Sequence, residues 1–281
     1  MMKKIFIVGC PRSGTTLLQS FIASHSKIVS FPETHLYSKT ISINPIVQAI
    51  TIYRTKHLNM VDQILTELSV PQNKELKKFN YTFSTVKWTR FLNHQLNKIG
   101  EHYRDAEENY LLEKTPRHLH YIDLIQKTEK NAVFIHLIRN GEDVVASMIE
   151  ATANNPDEWS GSRSVDKSIF WWNRSIRISE QYIGLKNNYH LRYKNLVENP
   201  GKALGYLFEK IGLPFEEQIL ESYHKTANSL IGEDEVWKSK NTKETLSTSS
   251  KFDQLPAETQ ERIKKGLHDF DYRKVDISNK D

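Results

Sequence analysis

Apolar residues fall into two kinds of run along this chain. Short stretches at 4–8 and 132–138 are apolar at every position but Lys4 and His136. Strands buried on both faces of a parallel sheet read this way. Shorter stretches at 28–31, 110–112 and 190–193 are further strand candidates, the first of them stopped by Pro32. Between them the apolar positions recur at helical spacing. The segment 14–25 puts Leu17, Leu18, Phe21 and Ile22 on one face. Similar patterns predict helices over 116–128, 141–151, 166–186, 200–211 and 256–270. Asn140 is suited to cap the helix that begins at Gly141. Pro200 opens another helix, where its missing N–H costs nothing.

Residues 38–105 carry amphipathic helical patterns, such as Ile43, Ile46, Val47 and Ile50, between polar connections. The polar stretch 229–255, rich in Ser, Thr and Lys, reads as a long loop. No internal repeat or low-complexity tract interrupts the alternation. Strands alternating with helices predict an α/β fold with a mostly parallel central sheet flanked by helices. The expected organisation is one domain over 1–281, with 38–105 as an insertion.

Composition changes this picture little. The chain has 281 residues, 38% hydrophobic and 26% charged, with a formal net charge of +5. That mild excess fits either a solvated basic surface or a pocket for a polyanionic ligand. Basic residues form no cluster denser than Lys77-Lys78 or Lys264-Lys265, so a nucleic-acid partner is not expected. Cys10 is the single cysteine, which excludes an intrachain disulfide and a cysteine-rich zinc site. The apolar stretch 5–9 is shorter than the roughly 7–15 residues of a signal core. No run approaches the roughly 18 apolar residues of a membrane span. A cytoplasmic protein with no membrane span is expected, and its oligomeric state is left open.

Two stretches carry candidate chemistry. GCPRSGTT, residues 9–16, keeps the glycine spacing of a phosphate-binding loop but has Thr15 where that loop has lysine. It joins the first strand to the first helix, where backbone N–H groups and the helix dipole converge on an anion. Arg12 adds a cation, and Ser13, Thr15 and Thr16 add hydroxyl donors. Without the lysine a triphosphate is poorly served, while a single phosphate or phosphosulfate would fit. The competing reading is a tight glycine turn capped by Ser and Thr. The second stretch, AVFIHLIRNGEDVVASM at 132–148, ends a strand at Arg139 and starts a helix containing Ser147. An arginine at the carboxyl end of a strand faces the ligand crevice of such a sheet. Alone, Arg139 would serve equally well as a partner of Glu142 or Asp143.

Taken together, these stretches resemble the sulfotransferase superfamily that uses 3′-phosphoadenosine 5′-phosphosulfate (PAPS). CPRSGTTLL resembles its 5′-phosphosulfate loop, which implies that Pro11, Arg12, Ser13, Gly14, Thr15 and Thr16 hold that group. IRNGEDVVASM resembles its 3′-phosphate motif, with Arg139 and Ser147 in place. LRYKNLVENPGKAL at 191–204 is similar to its Y-x-x-L-x-x-x-P segment, where Tyr193 would contact the cofactor. FPETHL, LEKTP and SKNTKETLSTSSKF are similar to the branch with tyrosylprotein, heparan and many bacterial sulfotransferases. The likeness runs from residue 5 to about 270. It implies a P-loop NTPase-like three-layer fold and sulfuryl transfer from PAPS without a metal. The acceptor would be a hydroxyl or amine on a small molecule, carbohydrate or lipid.

The resemblance also distributes the chemistry. Arg12 and Lys114 would stabilise charge on the transferring group, and Glu33 would be the general base. The competing readings are a surface pair between Lys114 and Glu113, a helix-initiating role for Glu33, and a histidine base among His35, His118 and His136. Lys251 fits a terminal 3′-phosphate cation, and Trp237 either stacks on adenine or packs. Tyr37, Tyr53, Trp88, Phe91 and Trp159 are candidates to line the acceptor pocket, the competing reading being core packing. Ala151 stands where tyrosylprotein members carry a second arginine. An atypical P-loop kinase and a non-catalytic nucleotide-binding protein are the alternative functions.

Overall fold

The structure, a computed structural model, describes residues 2–50, 55–71, 84–156, 161–230 and 251–276. Five parallel strands form one sheet in the order β2-β3-β1-β4-β5. They are β1 (Lys3–Gly9), β2 (Ile28–Ser30), β3 (Tyr110–Lys114), β4 (Val133–Ile138) and β5 (Asn188–Arg192). The long apolar run at 4–8 thus becomes the middle strand, and the one at 133–138 its neighbour.

Alternate side chains separate onto the two faces, as the strand pleat requires. Phe6, Val8, Val29, Leu111 and Phe134 pack on one face. The helices there include α2 (Leu36–Thr40), α4 (Thr55–Glu67), α5 (Thr85–Tyr103) and α6 (Ile122–Thr128). Ile5, Ile7, Leu112, Ile135 and Leu191 face the other way, toward α1 (Thr15–Ala23) and α10 (Pro200–Ile211). A third apolar cluster joins α7 (Gly141–Asn154), α8 (Val165–Gln181) and α12 (Ala257–Gly266). The remaining helices are α3 (Pro45–Ile50), α9 (Tyr193–Glu198) and α11 (Ile219–Ser229).

Local signals act as expected at several ends. The Asn140 side chain accepts from the Glu142 N–H at 2.9 Å, starting α7. Asn199 accepts from the Lys202 N–H at 3.1 Å ahead of Pro200. Four expectations need correction. The segment 116–128 is not one helix: Pro116–Tyr121 forms a 3-10 turn before α6. Tyr193 opens α9 rather than ending a strand. Helix α11 was not expected, because its apolar face is short. It packs on α1 through Phe21 and Tyr223, ring centroids 4.1 Å apart. Part of the expected loop 229–255 is ordered structure, since Lys251–Gln254 forms a 3-10 turn whose Phe252 is buried.

Register places every strand end that matters along one edge. Ile7 pairs with Lys114, Gly9 with Leu137, and Ile138 with Arg192. The residues that follow, Cys10 to Gly14, Arg139 and Tyr193, therefore leave the sheet side by side at its carboxyl edge. Ligands of open α/β sheets bind there.

Candidate active site

The first component is the β1–α1 loop. Helix α1 has no side-chain cap, and Gly14 precedes it at φ 92°. Its first-turn amides lack intrahelical acceptors and lie at the positive end of the helix. A Cβ at Gly14 would run into the Tyr193 ring, so two features demand glycine here: the left-handed backbone and the aromatic packed against it. Arg12 also sits at positive φ, 75°, a conformation costing about 1–2 kcal/mol for a residue with a side chain. Its Nε donates to Ser147 Oγ at 3.2 Å, linking the loop to α7. Burial pushes the Arg12 guanidinium down to about 10, opposed by Glu150 and reinforced by Arg139.

Arg139 and Tyr193 form the second component. The Arg139 guanidinium lies 4.5 Å from the centre of the Tyr193 ring, whose edge also covers Gly14. Asp143 is 3.8 Å from Arg139 Nη2, so the pairing weighed from the sequence is present but long. It leaves Arg139 Nε buried without a hydrogen-bond partner. The Arg139 carbonyl accepts from the Trp172 indole at 3.2 Å, which fixes the strand end against α8. Lys251 reaches Glu150, one helical turn after Ser147 on α7. Pro11 and Ser13 lie in the loop between Arg12 and β1 or α1, and the Ser13 N–H donates to the Cys10 carbonyl at 3.2 Å. Trp237 lies outside the described residues, as do Tyr53 and Trp159.

Glu33 and Lys114 form the third component. Lys114 is 2% exposed and its Nζ bonds Glu33 Oε1. It also lies 3.4 Å from Thr16 Oγ1, so one ammonium group bridges the loop and the candidate base. The pair with Glu113 considered from the sequence does not form, because adjacent strand residues point to opposite faces. Glu113 faces the other side, fully buried. There its carboxylate accepts from Thr34 Oγ1 at 2.9 Å and Thr115 Oγ1 at 2.7 Å, and pairs with His118 Nδ1 at 2.9 Å. These bonds oppose the desolvation that burial imposes and hold Glu113 below the usual carboxylate range. Thr115 Oγ1 in turn accepts from the His35 N–H at 3.2 Å. Gln19, fully buried on α1, donates to the Phe31 carbonyl at 2.9 Å. The segment 31–35 is thus held from both sides of the sheet.

The histidine candidates separate. His35 Nε2 lies 3.4 Å from Glu33 Oε2, and burial lowers its pKa while Glu33 opposes. His118 is committed to Glu113, and His136 is buried in β4 against His190, 4.3 Å between ring centroids. Neither reaches the loop. Among the pocket candidates, Tyr37 and Trp88 are fully buried core residues rather than lining. Phe91 packs against the same core. Cys10 is no nucleophile, since burial pushes its thiol up to about 12. Glu113, Gln19 and Thr34 were missed from the sequence. A Glu beside Lys and a Gln inside a helix carry no local signal of deep burial.

The model of the sulfotransferase family matches residues 4–217. Protein-tyrosine sulfotransferase 1 of Danio rerio is 24% identical over 225 residues, 78% of this chain and 56% of that protein. An uncharacterized protein of Aquifex aeolicus is 27% identical over 230 residues, 80% of this chain and 27% of the other. The chain thus spans less than two thirds of either curated relative. The sulfotransferase domain from the curacin biosynthetic pathway shares the fold with a TM-score of 0.59, at 20% identity, over 95% of this chain and 99% of that one. The family match covers most of the described sheet and its carboxyl edge, so this chain belongs to the sulfotransferase family.

Proposed function

From membership of the sulfotransferase family, we propose that this protein transfers a sulfuryl group from PAPS to a hydroxyl or amine of an acceptor. The observation that carries the reading is the convergence at the sheet edge of two anion sites and one acid–ammonium pair. The loop amides with Arg12, Ser13, Thr15 and Thr16 suit the 5′-phosphosulfate. Arg139 and Ser147, with Lys251 nearby on Glu150, suit the 3′-phosphate. The buried, unsatisfied Arg139 Nε is a donor for which a phosphate oxygen supplies the partner. Tyr193, packed between Gly14 and Arg139, spaces the two sites.

When bound, PAPS supplies a sulfuryl group on a phosphate oxygen. Glu33 takes the proton of the acceptor hydroxyl as the oxygen–sulfur bond forms. The bond from sulfur to the phosphate oxygen breaks, and that oxygen keeps the electron pair. Lys114, Arg12 and the first-turn amides of α1 neutralise the charge developing there. Lys114 lies between Glu33 and Thr16, so it serves both partners over a short distance. No metal is assigned a part.

Calorimetric titration with 3′,5′-adenosine bisphosphate (PAP), beside ATP with magnesium, tests the donor site. Tighter binding of the bisphosphate is expected. Tighter binding of magnesium ATP would return the protein to the kinase class. Bisphosphate binding without transfer to any acceptor would leave the non-catalytic alternative standing.

A further inference from the structure

Beyond the loop and Glu33, positive charge gathers at a second place on the same edge. The 3-10 turn Pro116–Tyr121 begins two residues after Lys114. Its period of three puts Arg117 and His120 on one side. Trp171 and Arg174, three apart on α8, share a helix face turned toward that turn. The neighbouring Trp172, buried and bonded to the Arg139 carbonyl, fixes this part of α8. Arg117 and Arg174 each bring their guanidinium carbon to 5.8 Å from the Trp171 ring centre. The His120 ring centre is 6.2 Å from the same ring, at 72° to it.

The charges here are of one sign. Among the described residues no acidic side chain is ion-paired with Arg117 or Arg174. Burial, then Arg174 and Arg117, push the His120 imidazole down to about 4. Burial and Arg117 likewise depress Arg163, whose Nη1 lies 2.9 Å from Met148 Sδ, next to Ser147. Two guanidinium groups beside a half-buried imidazole disfavour its protonation. Phe170, 54% exposed, adds apolar surface beside Trp171, ring centroids 5.5 Å apart.

We infer that Arg117, His120 and Arg174 around Trp171 form an acceptor subsite for a carboxylate carried on a planar group. The inference rests on the proposed sulfuryl transfer and names the class of its acceptor: a hydroxy acid. The guanidinium forks match a carboxylate in shape, and the indole offers a flat surface for the group that carries it. The turn that carries Arg117 and His120 starts two residues after Lys114.

The test uses two probes that differ only in charge, 4-hydroxybenzoate and its methyl ester, titrated into PAP-saturated protein. At least tenfold tighter binding of the acid is expected in the wild type. The difference should vanish in R117A/R174A and return in part in R117K/R174K, with PAP affinity unchanged in both. Equal binding of acid and ester by the wild type, or failure of the acid to bind, overturns the inference. So does a preference that survives R117A/R174A. Loss of PAP binding by the wild type would instead defeat the donor-site reading, so the two failures are distinguishable.

Discussion

The proposed donor cradle and the proposed base segment flank the end of β1 but are built in opposite ways. The cradle consists of contiguous loop residues plus Arg139 and Ser147 from one strand–helix unit. Much of its donor capacity is main chain, and the buried Arg139 Nε has no partner within the protein. The base segment comes from two loops held together by buried charge. Glu33 pairs with Lys114 and His35, and beneath them Glu113 binds Thr34, Thr115 and His118. In one region a buried donor is left without a partner. The other has its charges paired internally, so ligands must exchange with partners already present.

The comparison breaks most sharply at Glu33. Glu33→Gln should lower the turnover number about a hundredfold to ten-thousandfold, the usual worth of a positioned base, with PAP affinity unchanged. His35→Gln should cost less, and a larger loss there would move the base to histidine. Next in size is the buried anion. Glu113→Ala leaves His118 and two hydroxyls without their partner and should destabilise the fold by about 3–5 kcal/mol in urea titrations. A change within experimental error would mean that Glu113 does not organise the base segment.

On the donor side the effects are smaller and confined to binding. Arg139→Ala should weaken PAP by about 1.5–3 kcal/mol, the worth of a charge-assisted hydrogen bond, while leaving adenosine 5′-phosphate unaffected. Equal losses for both nucleotides would detach Arg139 from the 3′-phosphate. The smallest effect is on acid stability. His120 is held at about 4 against an ordinary 6.5, so the unfolded chain binds more protons between these values and stability falls as pH falls. Between pH 6.5 and 5.5 this one group should cost about 1 kcal/mol, and His120→Gln should remove that part of the slope in thermal melts. His35 and His136, also lowered, add in the same direction.

The two regions differ in how far the sequence reveals them. GCPRSGTT and IRNGEDVVAS are legible because loop, cap and helix start lie within a few residues of one another. The strands were legible as apolar runs, and the register then brought their ends together. The proposed base segment was half legible. Glu33 and Lys114 were each candidates from the sequence, but their contact spans 81 positions. The competing reading, a surface pair of Lys114 with Glu113, fails because Glu113 is its buried neighbour on the opposite face. For Tyr37 and Trp88 the sequence left pocket lining and core both open; both are core, and aromatic composition alone does not tell which side of a helix meets the sheet.

The sequence by itself determined the alternation of strands and helices, the glycine-dependent loop after β1, and the helix that carries Ser147 toward it. Each depends on interactions over a few residues: backbone sterics, capping and local apolar period. Only the tertiary structure decided that Lys114 meets Glu33 and Thr16, and that Glu113 braces the segment behind them. It also decided that Arg117, His120 and Arg174 collect around one tryptophan. Those arrangements join distant segments, and the pleat of β3 and the burial of its flanks select them from many pairings that the charges alone would allow.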